Sequence, residues 1–262
     1  MTFQVLVSTM HQRNFDLLKK MNIDTNAIVI NQCDENEVFE LEFKEKIVKW
    51  INNTDRGLSK SRNLALEQAC ADICIFADDD LIYIENYKNI ISEEFKLNPK
   101  ADVIAFKVDG IERKFKNYHS KPRKLNYITS MKVSLVEIAF KLDSVKNSGI
   151  RFNESFGAGA KYSSGEENIF LYDCLKMGLN IQYVPVKISD LHIGDSTWFK
   201  GFDREYFITK GAVFTAMSKL LSIPLIIQFA LRKYKLYKTD NSIFLGIKYM
   251  LEGRKSFLNE VL

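Results

Sequence analysis

Proline occurs only four times and glycine 12 times in 262 residues, which excludes collagen-like and linker-dominated chains. Cysteine is equally scarce. Cys33, Cys70, Cys74 and Cys174 form no CxxC pair, so neither a disulfide framework nor a structural zinc site is expected, and a reducing compartment is favoured. The first ten residues lack a basic region, and their apolar core is too short for a signal peptide, so a cytoplasmic protein is expected. No uninterrupted apolar run is long enough to read as a membrane span. The most apolar stretch, 211–231, is broken by Lys219, Pro224 and Gln228, and two amphipathic helices fit it better.

The composition that remains is ordinary for a globular chain: 46% apolar and 27% charged, with room for one large domain plus an extension. The net charge of +4 is unevenly placed. Residues 200–262 carry 11 Lys/Arg against 5 Asp/Glu, so the first 199 residues sum to −2. A basic, apolar tail suggests a peripheral place on the inner face of the cytoplasmic membrane. The plain alternative is that its apolar face packs on the preceding domain, or on a second copy in a homodimer. A second basic stretch, Arg113 to Lys124, is interleaved with Phe115 and Tyr118. No nucleic-acid module accompanies it, and no nucleic-acid partner is expected.

Apolar runs alternate with helical spacing through the first half, which predicts strands joined by helical crossovers and a mostly parallel sheet flanked by helices. Strands are expected at 3–8, 27–31, 45–51, 72–77, 101–108 and 180–188. Phe15, Leu18 and Met21 mark a first helix, and Ser59 is a good N-cap for a second running to about Ala71. Tyr87, Ile90, Ile91 and Phe95 mark a third, and a fourth spans 166–177, closed by Gly178.

In open parallel sheets ligands bind beyond the carboxyl ends of the strands. Asp78-Asp79-Asp80 follows the buried run Ile73–Ala77 at such an end. Adjacent carboxylates repel unless a cation offsets them, and hard oxygen donors suit Mg²⁺ or Mn²⁺ shared with substrate phosphates. The bland reading is a solvated acidic turn. Arg56-Gly57-Leu58-Ser59-Lys60-Ser61-Arg62-Asn63 opens a helix whose free N–H groups and cations suit an anion, although capping and solvation explain it too.

Together with the later Gly165-Glu166-Glu167-x-x-Phe-x-x-Asp173, this order of motifs resembles glycosyltransferase family 2, of the GT-A fold, in the branch found in capsular and lipopolysaccharide assembly. The resemblance covers residues 3 to about 200 and leaves 201–262 as a basic helical extension. It implies inverting transfer of a sugar from a nucleoside diphosphate, a UDP-sugar by expectation, to a hydroxyl on a glycan or lipid-linked acceptor. Asp80, with Asp78 and His192, is then expected to hold Mn²⁺ or Mg²⁺. Ser8, Thr9, Asn31, Arg56, Arg62, Asp78 and Asp79 are expected to meet the nucleotide sugar. The acceptor-side base is expected at Glu167 or Glu166, the second acid being the usual one. Ser164-x-x-Glu167 also reads as a capping box, which explains the pair without catalysis. Ser196, Thr197 and Trp198 are expected in a loop over the nucleotide. Two departures stand out: Ser8-Thr9-Met10-His11 replaces the usual proline, tyrosine and asparagine after the first strand, and Asn31 stands where an aspartate usually helps hold the base. The rival readings are a nucleotidyl or phosphoryl transferase, for which no GxxxxGK[ST] is present, and a non-catalytic sugar- or nucleotide-binding module at a membrane.

Overall fold

The computed structural model describes residues 1–194 and 201–260. Strand β1 (Phe3–Met10) and the single-turn helix α1 (Leu17–Lys20) lead to β2 (Asn26–Gln32). A hairpin of β3 (Glu37–Phe43) and β4 (Lys46–Asn53) follows. Helix α2 (Leu58–Gln68), β5 (Ile73–Asp78), the short β6 (Leu81–Tyr83), α3 (Tyr87–Leu97) and β7 (Val103–Gly110) come next. The middle holds β8 (Arg123–Lys124), α4 (Tyr127–Ser130), β9 (Ile138–Lys141) and α5 (Leu142–Asn147). Helix α6 (Glu166–Lys176), β10 (Ile181–Leu191) and three long helices, α7 (Arg204–Met217), α8 (Ser222–Tyr237) and α9 (Ile243–Glu260), complete it.

The strands form one sheet in the order β3-β4-β2-β1-β5-β9-β7-β10-β6, with β8 against β10. The β4-β2-β1-β5 block is parallel, as is β7-β10. The remaining pairings are antiparallel, so a parallel central block sits within a mixed sheet. The decisive element is β9. Its four residues, three of them buried, run antiparallel between β5 and β7 and separate the two strands. So short a strand leaves little periodic signal. The hairpin strand β3 also escapes the sequence pattern, because Glu37, Glu40 and Glu42 alternate with apolar residues on an edge, where charge blunts further pairing. Lys44 and Glu45 turn the hairpin at φ 50° and 61°.

Two buried clusters cover the faces of the sheet, one with Val5, Val29, Trp50, Ile75, Phe106 and Ile188, the other with Leu6, Ile30, Phe76, Phe140, Phe152 and Phe170. A third joins Phe156, Tyr162 and Ile169 to α7–α9 through Phe207, Val213, Tyr237 and Met250. Helices α7 and α9 cross at glycines. A Cβ on Gly211 would lie 1.8 Å from the Met250 carbonyl oxygen, and one on Gly253 would lie 1.9 Å from that of Ile208. Only bare backbone allows this approach, so the two apolar helices lock together. No described helix is long and apolar enough to cross a membrane.

The parallel strands end on one edge, at Met10, Gln32, Asn53 and Asp78. Every motif that carries the proposed chemistry sits along that edge or just beyond it.

Candidate functional site

The segment that opens α2 does not start at Ser59. Gly57, at φ +124°, precedes the first helical residue, and its N–H donates to the Gln32 side chain at 2.8 Å. Ser59 instead donates its hydroxyl to the Phe156 carbonyl at 2.6 Å, and Leu58 N–H donates to the Ala158 carbonyl at 2.9 Å. The loop before α6 is thereby fastened to the start of α2, which brings together two motifs about 100 residues apart.

Arg62 stands at the centre of that junction. Its side chain is 4% exposed, with one terminal nitrogen 2.8 Å from Glu166 and the other 2.9 Å from Asp78. Burial alone would lower its pKa, but Asp78 and Glu166 more than offset that and hold the guanidinium above its usual range. Its two terminal nitrogens join the acid that ends β5 to the acid that opens α6, while its buried Nε has no hydrogen-bond partner.

The three aspartates diverge from one another. Asp78 is held by Arg62, and Asp79 accepts from the Thr9 hydroxyl at 2.5 Å. Asp80 is open to solvent but crowded by its neighbours. Partial desolvation, then the charges of Asp78 and Asp79, push it up to about 7. Its carbonyl accepts from His192 N–H at 2.9 Å, so His192 is adjacent along the backbone. The imidazole turns elsewhere, its Nδ1 lying 2.8 Å from Glu112. Glu112 is held below the usual carboxylate range by that contact and by Ile193 N–H.

The acids at α6 also separate. Glu166 is buried against Arg62. Glu167 is half-buried, and desolvation and the neighbouring Glu166 charge push it up to about 7, against the opposing pull of Lys210 and Arg62. The expected capping box is absent. Gly165 occupies the cap at φ 96°, and no side chain caps the helix. Glycine is required here, because a Cβ would lie 2.4 Å from Val213 Cγ2. That contact seats α7 against the start of α6. Lys210, one turn before Val213, faces Glu167 and Glu166; burial lowers its pKa, with Lys233 adding to the effect. No motif pointed to Lys210. The available signal was a lone lysine within Phe207–Phe214, an otherwise apolar helical run.

Several residues expected to meet the nucleotide sugar have internal partners. Asn31 is fully buried and both of its amide donors are engaged. It accepts from Gln12 N–H at 3.0 Å and donates to the Gln12 carbonyl and to Asn52. Asn52 is itself oriented by Trp50 Nε1–H at 3.0 Å. Asn31 therefore shapes the 11–14 loop. Ser8 is buried against the Ser61 hydroxyl at 2.9 Å. Arg56 donates to the Cys33 and Thr54 carbonyls and pairs with Asp34 at 2.6 Å, which fixes the loop after β2. Beside these groups opens a cleft of about 760 Å³ lined by His11, Phe15, Asp34, Phe39, Trp50 and Asn52. Glu37 and Phe39 of β3, a strand the sequence pattern did not reveal, complete this lining. The expected loop residues Ser196, Thr197 and Trp198 lie outside the described residues.

Within the basic, aromatic stretch, Lys116 pairs with the buried Glu137 at 2.6 Å and Tyr118 donates to the same carboxylate, while Arg113, Lys114, Lys121 and Lys124 are exposed.

Among the described residues, no group of three or more His, Cys, Asp or Glu is arranged to hold a metal ion. The donors present nevertheless fit Mg²⁺ or Mn²⁺, which bind through one or two carboxylates and fill their remaining positions from water and phosphate. Asp80 offers such a carboxylate, at the end of β5 beside Asp78 and Asp79.

Comparisons with known proteins bear on this geometry. No curated protein matches the chain. Its fold is similar to that of S. aureus TarS, residues 1–349, with a TM-score of 0.62 and 13% identity over 98% of this chain and 92% of that one. The same protein in complex with UDP-GlcNAc aligns with a TM-score of 0.63 and 14% identity over 92% and 74%. The complex with UDP gives 0.61 and 13% over the same shares. At this identity the likeness concerns the fold, a mixed sheet of GT-A type flanked by helices. The family model described as glycosyl transferase family 2 matches residues 16–160, more than half the chain, and stops just short of the Glu166–Glu167 pair. The chain belongs to glycosyl transferase family 2.

Proposed function

We propose that the protein transfers a sugar from a UDP-sugar to a hydroxyl of a glycan or lipid-linked acceptor, with inversion, in surface polysaccharide synthesis. The observation that carries the reading is Arg62, which ties the aspartates at the end of β5 to the glutamates at the start of α6. One acid expected on the donor side, Asp78, and one expected on the acceptor side, Glu166, thus share a single guanidinium. The TarS complexes with UDP and UDP-GlcNAc support a nucleotide-sugar donor on this fold.

In this scheme residues 1–200 form the catalytic domain and 201–262 an extension that contributes Lys210. The nucleoside lies in the cleft beside Trp50 and His11, with Thr9 and Asp79 at its inner end. Asp80 would hold the divalent ion, and His192 would be an auxiliary donor to it once released from Glu112. The bound ion would offset the charge that grows on the departing diphosphate. Glu167 accepts the proton of the acceptor hydroxyl. That oxygen forms a bond to the anomeric carbon from the face opposite the diphosphate, and the breaking carbon–oxygen bond leaves its electron pair on UDP. Glu167 suits this task better than Glu166, whose carboxylate is committed to Arg62, and a base near 7 is matched to neutral pH. Four unpaired cysteines are consistent with a cytoplasmic reaction.

The test is a thermal-shift screen of nucleotide sugars with Mn²⁺, followed by UDP-release assays of the wild type and Asp80→Asn. The reading expects stabilisation by a UDP-sugar that depends on Mn²⁺ and is lost in the variant. Identical binding and turnover in the variant would overturn it.

A further inference from the structure

We propose that the outer face of α8 docks the protein onto an anionic lipid bilayer. The helix is amphipathic in an unusual sense. Its inner side is apolar: Ile226, Ala230 and Tyr237 are buried among α7 and α9, and the Tyr237 hydroxyl donates to the Ala230 carbonyl at 2.6 Å. Its outer side is also apolar. Ile223, Ile227 and Leu231 recur every fourth residue along one exposed edge, with Leu231 60% exposed and Leu220, just before the helix, 91% exposed. Lys235 continues the same line, and Lys219 and Lys238 flank its two ends.

The charge on this face selects the occupant. The exposed charges from Lys219 to Lys238 are Lys219, Arg232, Lys235 and Lys238, with no Asp or Glu, while Lys233 lies toward Lys210 on the inner side. A two-fold contact with a second copy would set these cations against one another, with no carboxylate on the face to pair with them. A surface of anionic headgroups over hydrocarbon satisfies both halves at once: the aliphatic edge enters the acyl boundary and the lysine stems reach up to phosphates. The geometry is that of a helix lying in the interface plane, since no described helix can cross a bilayer. The face is also pre-formed. Arg254 on α9 donates to Ser222 at 3.0 Å and pins the start of α8, so docking orders little new chain. Helix α7, which carries Lys210 to Glu167, lies between α6 and the α8–α9 pair. Docking on α8 would therefore hold the catalytic edge a fixed distance from the membrane. The inference does not depend on which sugar is transferred.

The test is vesicle flotation of the full chain with phosphatidylcholine containing 40% phosphatidylglycerol, against phosphatidylcholine alone. Binding is expected only to the anionic vesicles and is expected to fade at high salt. Lys235→Gln with Lys238→Gln should weaken it about thirtyfold. Ile227→Glu with Leu231→Glu should abolish it with an unchanged melting temperature, because both side chains are exposed. Failure of the wild type to float, or undiminished flotation of both double variants, would overturn the proposal. So would a dimer in sedimentation that Ile227→Glu with Leu231→Glu dissociates.

Discussion

Replacing Arg62 by Met removes the cation from two carboxylates while keeping most of the volume. Asp78 is one-third exposed and regains water, but Glu166 is 8% exposed and is left as a buried charge without a partner. Breaking a buried pair in this way costs roughly 3–5 kcal/mol. For a chain of this size that corresponds to a fall in melting temperature of about 6–20 °C. Glu166→Gln introduced into the same background removes the stranded charge, so the double variant should recover about 2 kcal/mol relative to Arg62→Met alone. Urea unfolding of the four proteins of the cycle measures this directly. Additive costs, or an Arg62→Met variant within 1 kcal/mol of wild type, would refute the claim that this one guanidinium joins the two motifs.

Glu167→Gln gives a pH signature: the native carboxyl holds its proton up to about 7 and the unfolded one only to its ordinary 4.5, so ionisation destabilises the native state as pH rises between them. The variant should match wild type below pH 4.5 and gain about 1–2 kcal/mol by pH 8 in denaturant melts, with the half-exposed position discounting the full shift. Gly165→Ala forces a Cβ to 2.4 Å from Val213 at positive φ and should cost roughly 2–4 kcal/mol by calorimetry, partly restored by Val213→Ala. Asn31→Asp should destabilise more than Asn31→Ala in thermal melts, because a carboxylate there faces the Gln12 carbonyl and an Asn52 oxygen that Trp50 fixes in place. Either variant should raise the donor KM by loosening the 11–14 loop, with kcat less affected.

The last of these predictions shows where a one-dimensional reading stops. The buried runs Phe3–Ser8, Ala27–Asn31 and Ile73–Ala77 announce three central strands through composition alone, and the strand edge then locates the acids. What Asn31 does depends on Gln12 and Asn52, and what Arg62 does depends on Glu166, 104 residues away. Such partners are set by tertiary contact and leave no local pattern. Short or charged strands such as β9 and β3 fail for a related reason: neighbours, rather than their own periodicity, hold them in the sheet. Ser164 and Glu167 have the right spacing for a capping box, yet Gly165 takes the cap because α7 packs too closely for any side chain.

The most direct test of the whole account is acceptor-dependent UDP release by wild type and Glu167→Gln, with donor affinity measured on both by calorimetry in Mn²⁺. The account predicts unchanged donor affinity and a loss of turnover of at least about a hundredfold in the variant. Turnover retained at the wild-type rate would contradict it.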